Sequence, residues 1–244
     1  MKLITTTVGL NGRWLSRFNP KRMKFAKEAI VEAKKMEADI LVLPAGYLFA
    51  DNNDEFDRIS KEMIGYAQSV GITFMFGIDR EKKDIKKDWS EHVKNQSVPW
   101  FGIIWDDIKK ESMVIRQRSI SSNDQYLAPD SVCSEIIYIT FNDQMIPILM
   151  CGEIFNERIK KTIMNYKEKI KIVIDMAHFG KGLRIWQPMS KFGNNGIAST
   201  CSTHVDKKGA VKYFFTSKGE NISSDKIDKE IGWDPQIEMK LWDI

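Results

Sequence analysis

The sequence predicts an α/β protein in which two sheets are covered on their outer sides by helices. Short continuous apolar runs alternate with amphipathic segments at both ends of the chain, and the middle is rich in hairpins. Runs such as "DILVLP" (39–44) have the unbroken apolar character of strands buried on both faces. The 244 residues are 43% hydrophobic and 29% charged, the values of a globular protein with a sizeable core. No internal repeat, low-complexity run or linker interrupts them, so 1–244 reads as one domain.

The elements follow in order. "LITTTVGL" (3–10) is a first strand. In 20–38, Met23, Ala26, Ile30, Ala33 and Met36 recur at helical spacing with lysines between them. The buried strand 39–44 ends at Pro44. A second helix fits 54–69, where Phe56, Ile59, Met63, Ile64 and Ala67 form one stripe, and "ITFMFGI" (72–78) is again a strand. Residues 97–107 and 113–120 pair across a polar turn. Residues 134–151 form a second hairpin with Asn142 and Asp143 at its turn. Residues 155–168 are helical, and "IKIVIDMA" (170–177) returns to a strand. Residues 196–220 give two strands around a Lys-Lys-Gly turn, and 237–244 is a last strand.

Charge and cysteine content exclude several function classes. The formal charge of +4 is mild, and the run "DREKKDIKKD" (79–88) mixes both signs, as a solvated loop face does. No basic, aromatic-interleaved motif accompanies it, so no nucleic-acid partner is expected. Cys133, Cys151 and Cys201 are odd in number and form no CxxC pair, which argues against a disulfide framework and a zinc site and for a reducing compartment. "MKLITTTVGLNG" is a poor signal peptide, and no stretch approaches the ~18 apolar residues of a membrane span. A cytoplasmic protein without a metal or cofactor is the expectation.

One segment bears on chemistry. In "LMCGEIFNER" (149–158) an apolar strand stops at Cys151 and gives way to a polar, helix-like stretch. Such a turn presents a nucleophile, and it also suits a plain buried thiol. Three more segments keep company with it. They are "ADILVLPAGYLF" (38–49), the Asn-led hairpin "NQSVPWFGIIWDDIKKESMVIRQRSI" (95–120), and the stretch from Trp186 to Gly219. In order and spacing, with 72 residues from 45 to 117 and 34 from 117 to 151, the chain resembles the nitrilase, or carbon–nitrogen hydrolase, superfamily nearly end to end.

The resemblance implies a four-layer α-β-β-α sandwich. It implies a homodimer through residues 155–168 and 183–195, which carry Ile159, Ile163, Met164, Ile185, Trp186, Met189 and Phe192. It also implies a cysteine nucleophile, a glutamate base, and a lysine that holds the oxyanion with the N–H after the cysteine. Cys151 and Gly152 match. The glutamate position is Ala45 and the lysine position is Gln117.

Loss of a positioned base costs about 10²–10⁴ in rate, and loss of an oxyanion donor about 10²–10³. The leading expectation is therefore a relative that binds a small amide, nitrile or carboxylate with little or no turnover. A second is an active amidase with a substitute base such as His178 and a substitute cation such as Arg118. A third is a non-catalytic oligomeric scaffold. In a strand, Arg116 and Arg118 face away if Gln117 faces the pocket. Asp124 and Gln125 lie nearest a further acidic family position, and Glu153 matches one that binds backbone or cations at the elbow. Trp186 falls in a pocket-lining segment. His178 and His204 each also have a plain reading as hydrogen-bonded structural histidines, and His92 reads as solvated.

Overall fold

The structure, a computed structural model, describes residues 1–9, 16–80, 89–120, 128–129, 135–178, 186–205, 213–217, 220–224, 226–232 and 236–244. Asp124, Gln125, Cys133, Trp233 and the Lys-Lys-Gly turn lie outside the described residues, as does the side chain of Trp186.

The elements in chain order are β1 (Lys2–Gly9), α1 (Asn19–Lys35), β2 (Ile40–Val42), β3 (Leu48–Ala50), α2 (Asn53–Val70), β4 (Thr73–Arg80), α3 (Trp89–Lys94), β5 (Trp100–Asp106), β6 (Glu111–Arg116), β7 (Tyr138–Phe141) and β8 (Gln144–Met150). There follow α4 (Glu157–Met164), β9 (Ile172–Met176), α5 (Trp186–Gly193), β10 (Ala198–Val205), β11 (Tyr213–Ser217), β12 (Glu220–Ser224), β13 (Lys229–Ile231) and β14 (Gln236–Asp243).

Local chemistry sets several boundaries. Pro20 opens α1, where its missing N–H costs nothing. Asn52 caps α2 by accepting from the Glu55 N–H at 2.9 Å, and Gly71, at φ 74°, ends it in the left-handed conformation. Asn142 and Asp143 have φ of 48° and 60°, the two positive values that a tight hairpin turn requires.

Among the described residues the strands form one continuous sheet in the order β6-β5-β4-β2-β1-β10-β9-β8-β7, with β14 antiparallel to β1. The sheet curls, so that its two halves face each other. Leu3, Ile40, Val42, Met75 and Ile104 of one half pack against Ile146, Ile148, Ile172, Ile174 and Met176 of the other. On the outer side of the first half, α1 and α2 bury Ala26, Ile30, Ile59 and Met63 on Ile4, Leu41, Phe74 and Phe76. On the outer side of the second, Ile159, Ile163, Met189 and Phe192 cover Leu149, Val173 and Cys201. These three apolar layers separate four structural ones, the α-β-β-α sandwich. Ile159, Ile163, Met189 and Phe192, expected at a subunit interface, thus lie in the chain's own core.

One close approach positions the site. A Cβ on Gly77 would lie 2.3 Å from the Gly46 nitrogen and 2.4 Å from the Ala45 Cα, so only glycine lets the 45–46 turn rest on β4. Gly77→Ala is expected to destabilise the protein by about 1–3 kcal/mol or more. Urea denaturation reads this directly.

Candidate active site

Cys151 follows β8 directly, on a sharp bend. Its φ of 47° is uncommon for a residue with a Cβ, and such strain recurs where a strand-to-helix elbow exposes a nucleophile. The next residue must be small. A Cβ on Gly152 would sit 2.3 Å from the Ile120 carbonyl oxygen and 2.6 Å from that of Ser119, so the strand end after Gln117 lies against the elbow.

Glu153 fixes the elbow from beneath. It is 1% exposed and accepts from the backbone N–H of Arg118 at 2.6 Å, the backbone N–H of Met150 at 3.3 Å, and the Arg118 guanidinium at 2.8 and 3.2 Å. Arg118 also donates to the Glu135 carbonyl at 2.6 Å. Its charge is therefore held by Glu153.

The opposite wall is a cross-strand row. Gly77, Gly102 and Ile115 are neighbours across β4, β5 and β6 on the inner face, and Met150 packs there, its Sδ within 3.3 Å of a Cβ on Gly102. One pleat further on, Asp79 pairs with Trp100, and the Gln117 N–H donates to the Trp100 carbonyl at 3.1 Å. Asp79, Trp100 and Gln117 therefore share the inner face, in the row just past Met150.

His178 closes the gap from the other half of the sheet. Its Nε2 lies 3.1 and 3.0 Å from the two Asp79 carboxylate oxygens, its ring meets Trp100 edge-on at 5.6 Å, and its side chain is hydrogen-bonded to Cys151. The Gly46 turn rests against the same pair. Cys151, His178 and Asp79 thus form a continuous chain of polar contacts.

The electrostatics differ sharply within this small volume. Burial pulls the His178 pKa down, but the Asp79 charge, the hydrogen bond to Asp79 and the Cys151 sulfur outweigh it and push it up to about 10. His204 is also buried, and its Nε2–H donates to the Ala45 carbonyl oxygen at 2.9 Å. Burial lowers its pKa well below the ordinary value, and the nearby His178 charge acts the same way. Burial raises the Cys201 thiol well above its ordinary value, so it is a packing thiol.

Burial likewise pushes the Asp175 carboxyl far above the usual range, helped by the charges of Cys151 and Glu153. Because this folded-state pKa is raised, the contribution of Asp175 to stability is complete below the unfolded-state carboxyl range. It is lost as pH rises towards the folded value, by about 1.4 kcal/mol per pH unit. Asp175→Asn is expected to raise stability at pH 7 and flatten its decline at higher pH, as thermal denaturation at several pH values will show.

No family model and no curated protein sequence matches the chain. Solved structures do. A mutant of the amidase from Nesterenkonia sp. AN1, showing Michael addition of acrylamide at the active-site cysteine, superposes with a TM-score of 0.66 at 10% identity, over 98% of this chain and 92% of that one. A second mutant, described as an amidase from the nitrilase superfamily, gives 0.64 at 10% identity over 98% and 90%. A third, in complex with butyramide, gives 0.64 at 10% identity over 98% and 89%. The chain has the nitrilase-superfamily fold.

On this nitrilase fold, the residues singled out in the sequence fall into three groups. Cys151, Gly152 and His178 meet at the elbow, the turn at Ala45 and Gly46 rests against His178 and Asp79, and Gln117 shares their row. Glu153 and Arg118 lie behind the elbow, and His204 holds the Ala45 turn from below. His92 sits apart, on α3, with its Nδ1 2.9 Å from the Ser97 hydroxyl. Sequence reasoning missed Asp79, which it placed at the start of a solvated run. The carboxylate is 6% exposed and belongs to β4, two residues past Gly77 on the inward face. That period-two position at the end of an apolar strand was the available signal.

Proposed function

We propose that the protein is a carbon–nitrogen hydrolase that cleaves a small amide through Cys151, with His178, oriented by Asp79, standing in for the glutamate and the Gly152 N–H left as the oxyanion donor. The observation that carries this reading is the imidazole of His178, hydrogen-bonded to Cys151 on one side and to Asp79 on the other. With Nε2–H directed at the Asp79 carboxylate, Nδ1 is the ring nitrogen left for the sulfur. An adjacent imidazolium favours the thiolate.

The thiolate attacks the amide carbon and the C–S bond forms. The Gly152 N–H stabilises the resulting oxyanion. The imidazolium then gives its proton to the departing nitrogen, the C–N bond breaks, and ammonia leaves a thioester on Cys151. The neutral imidazole next takes a proton from water, the resulting hydroxide forms a C–O bond to the thioester carbon, and the C–S bond breaks, which releases the carboxylic acid and restores the thiolate–imidazolium pair. Asp79 orients the ring and offsets its charge throughout. The neighbouring amidase structures, with acrylamide and butyramide, support small amides as the ligand class.

A second reading, amide binding without turnover, is favoured by one observation. Arg118 is held by Glu153, so it adds no cation to the oxyanion site. Ammonia release from butyramide at pH 7, lost in Cys151→Ala, supports hydrolysis. Its absence, with Cys151 alkylated slowly at pH 7 and rapidly only near pH 9, leaves the binding reading. The one-domain organisation of 1–244 belongs to the same proposal and is supported by the continuous sheet. The homodimer is carried by the resemblance alone, and light scattering that finds a monomer at micromolar concentration removes it.

A further inference from the structure

Gln117 occupies the position where the superfamily resemblance implies a lysine, but its chemistry is that of an acceptor. The side chain is 4% exposed. Its Nε2 donates to the Ser119 carbonyl at 2.7 Å, while Oε1 is buried with no hydrogen-bond partner among the described residues. The Ser119 carbonyl also fixes which way the amide points, since a flipped group would set two oxygens against each other. A buried acceptor left without a donor is costly. Gln117 shares its face and its row with Trp100 and Asp79, the residues that His178 touches, and the segment after it rests on Gly152.

We infer that Gln117 Oε1 accepts a hydrogen bond from the substrate's amide N–H, so that Gln117 selects primary amides over esters and nitriles carrying the same acyl chain. The inference rests on the hydrolase reading of the same cleft. A primary amide offers two N–H donors; an ester and a nitrile offer none. The acceptor that lacks a partner in the free protein gains one only from the amide, and with the other ligands it stays unsatisfied. One of the two N–H donors of the Gln117 amide is directed at the Ser119 carbonyl, and the amide carries no charge, so it is a weaker oxyanion donor than a lysine.

The test uses butyramide, methyl butyrate and butyronitrile. Binding is measured by calorimetry in the full-length Cys151→Ala protein, where no turnover is needed. Butyramide is expected to bind more tightly than the other two, and adding Gln117→Met should abolish that preference. In the otherwise unchanged protein, Gln117→Met should lower kcat/KM for butyramide roughly 10- to 100-fold and leave that for methyl butyrate as it was. Melting curves check that the variant folds, and Gln117→Leu replaces it if it does not.

Equal losses on amide and ester overturn the inference, as do equal binding of all three probes, binding of none, or no effect of the substitution. Selective amide binding without any Cys151-dependent ammonia release sustains it while removing the hydrolase reading. Cys151-dependent hydrolysis without amide selectivity does the reverse.

Discussion

His178→Ala is expected to lower butyramide hydrolysis about 10²–10⁴-fold and to move the pH at which Cys151 becomes alkylated up towards the ordinary thiol value near 8.5. In the parent protein, acrylamide should already modify Cys151 rapidly at pH 6.5, because the imidazolium beside it stabilises the thiolate. Asp79→Asn keeps the shape of the contact and removes the charge, so it should move both quantities the same way. Stability should follow. The folded-state pKa of His178, about 10, is raised from its ordinary 6.5, so the stabilisation from this ion pair is complete below pH 6.5 and lost as pH rises through 10. Melting temperature should decline over that window in the parent and much less in His178→Ala. An alkylation profile identical in parent and variant would falsify the Cys–His pair.

The second large effect is expected behind the elbow. Arg118→Ala leaves Glu153 charged, 1% exposed and without its guanidinium, and breaking a buried pair from one side costs about 3–5 kcal/mol. Glu153→Ala should cost as much and also disturb Cys151, because the Met150 and Arg118 backbone N–H groups lose their acceptor. Removing both, as Arg118→Ala with Glu153→Ala, should cost less than the sum of the single changes, since no uncompensated charge remains. Urea denaturation of the four proteins closes the cycle. Additive losses would show that the pair is not the source of the effect.

Much of this architecture was legible from residue order. Strands buried on both faces, such as 40–42 and 172–176, stand out as unbroken apolar runs, and the long helices 19–35 and 53–70 have clean stripes with a proline or an asparagine cap at their start. Short elements were not. Leu48–Ala50 is three residues long and follows a turn, and Trp89–Lys94 lies in a lysine-rich stretch whose composition reads as solvent-facing. Ala45, Gln117 and Cys151 stood out only through the family resemblance, in the order and spacing of the segments that carry it. By sequence alone His178 reads first as a hydrogen-bonded structural histidine, because its meaning depends on Asp79, a partner 99 residues away. Only the pairing of β4 with β5 and the curl of the sheet bring the two together, and neither is written in local pattern.

That separation has a kinetic consequence. Asp79, Trp100 and Gln117 belong to one half of the curled sheet, and Cys151 and His178 to the other. Contacts this distant in sequence form late, after the chain has met the entropy of closing long loops. No early intermediate that has built only one half can set His178 against Asp79, the charge that keeps the imidazole protonated beside the thiol. During refolding, the fast-reacting cysteine should therefore emerge with the final phase, later than the recovery of secondary structure, and on heating it should vanish as soon as the two halves part. Cys151 is in this respect a chemical clock for the docking of the two half-sheets.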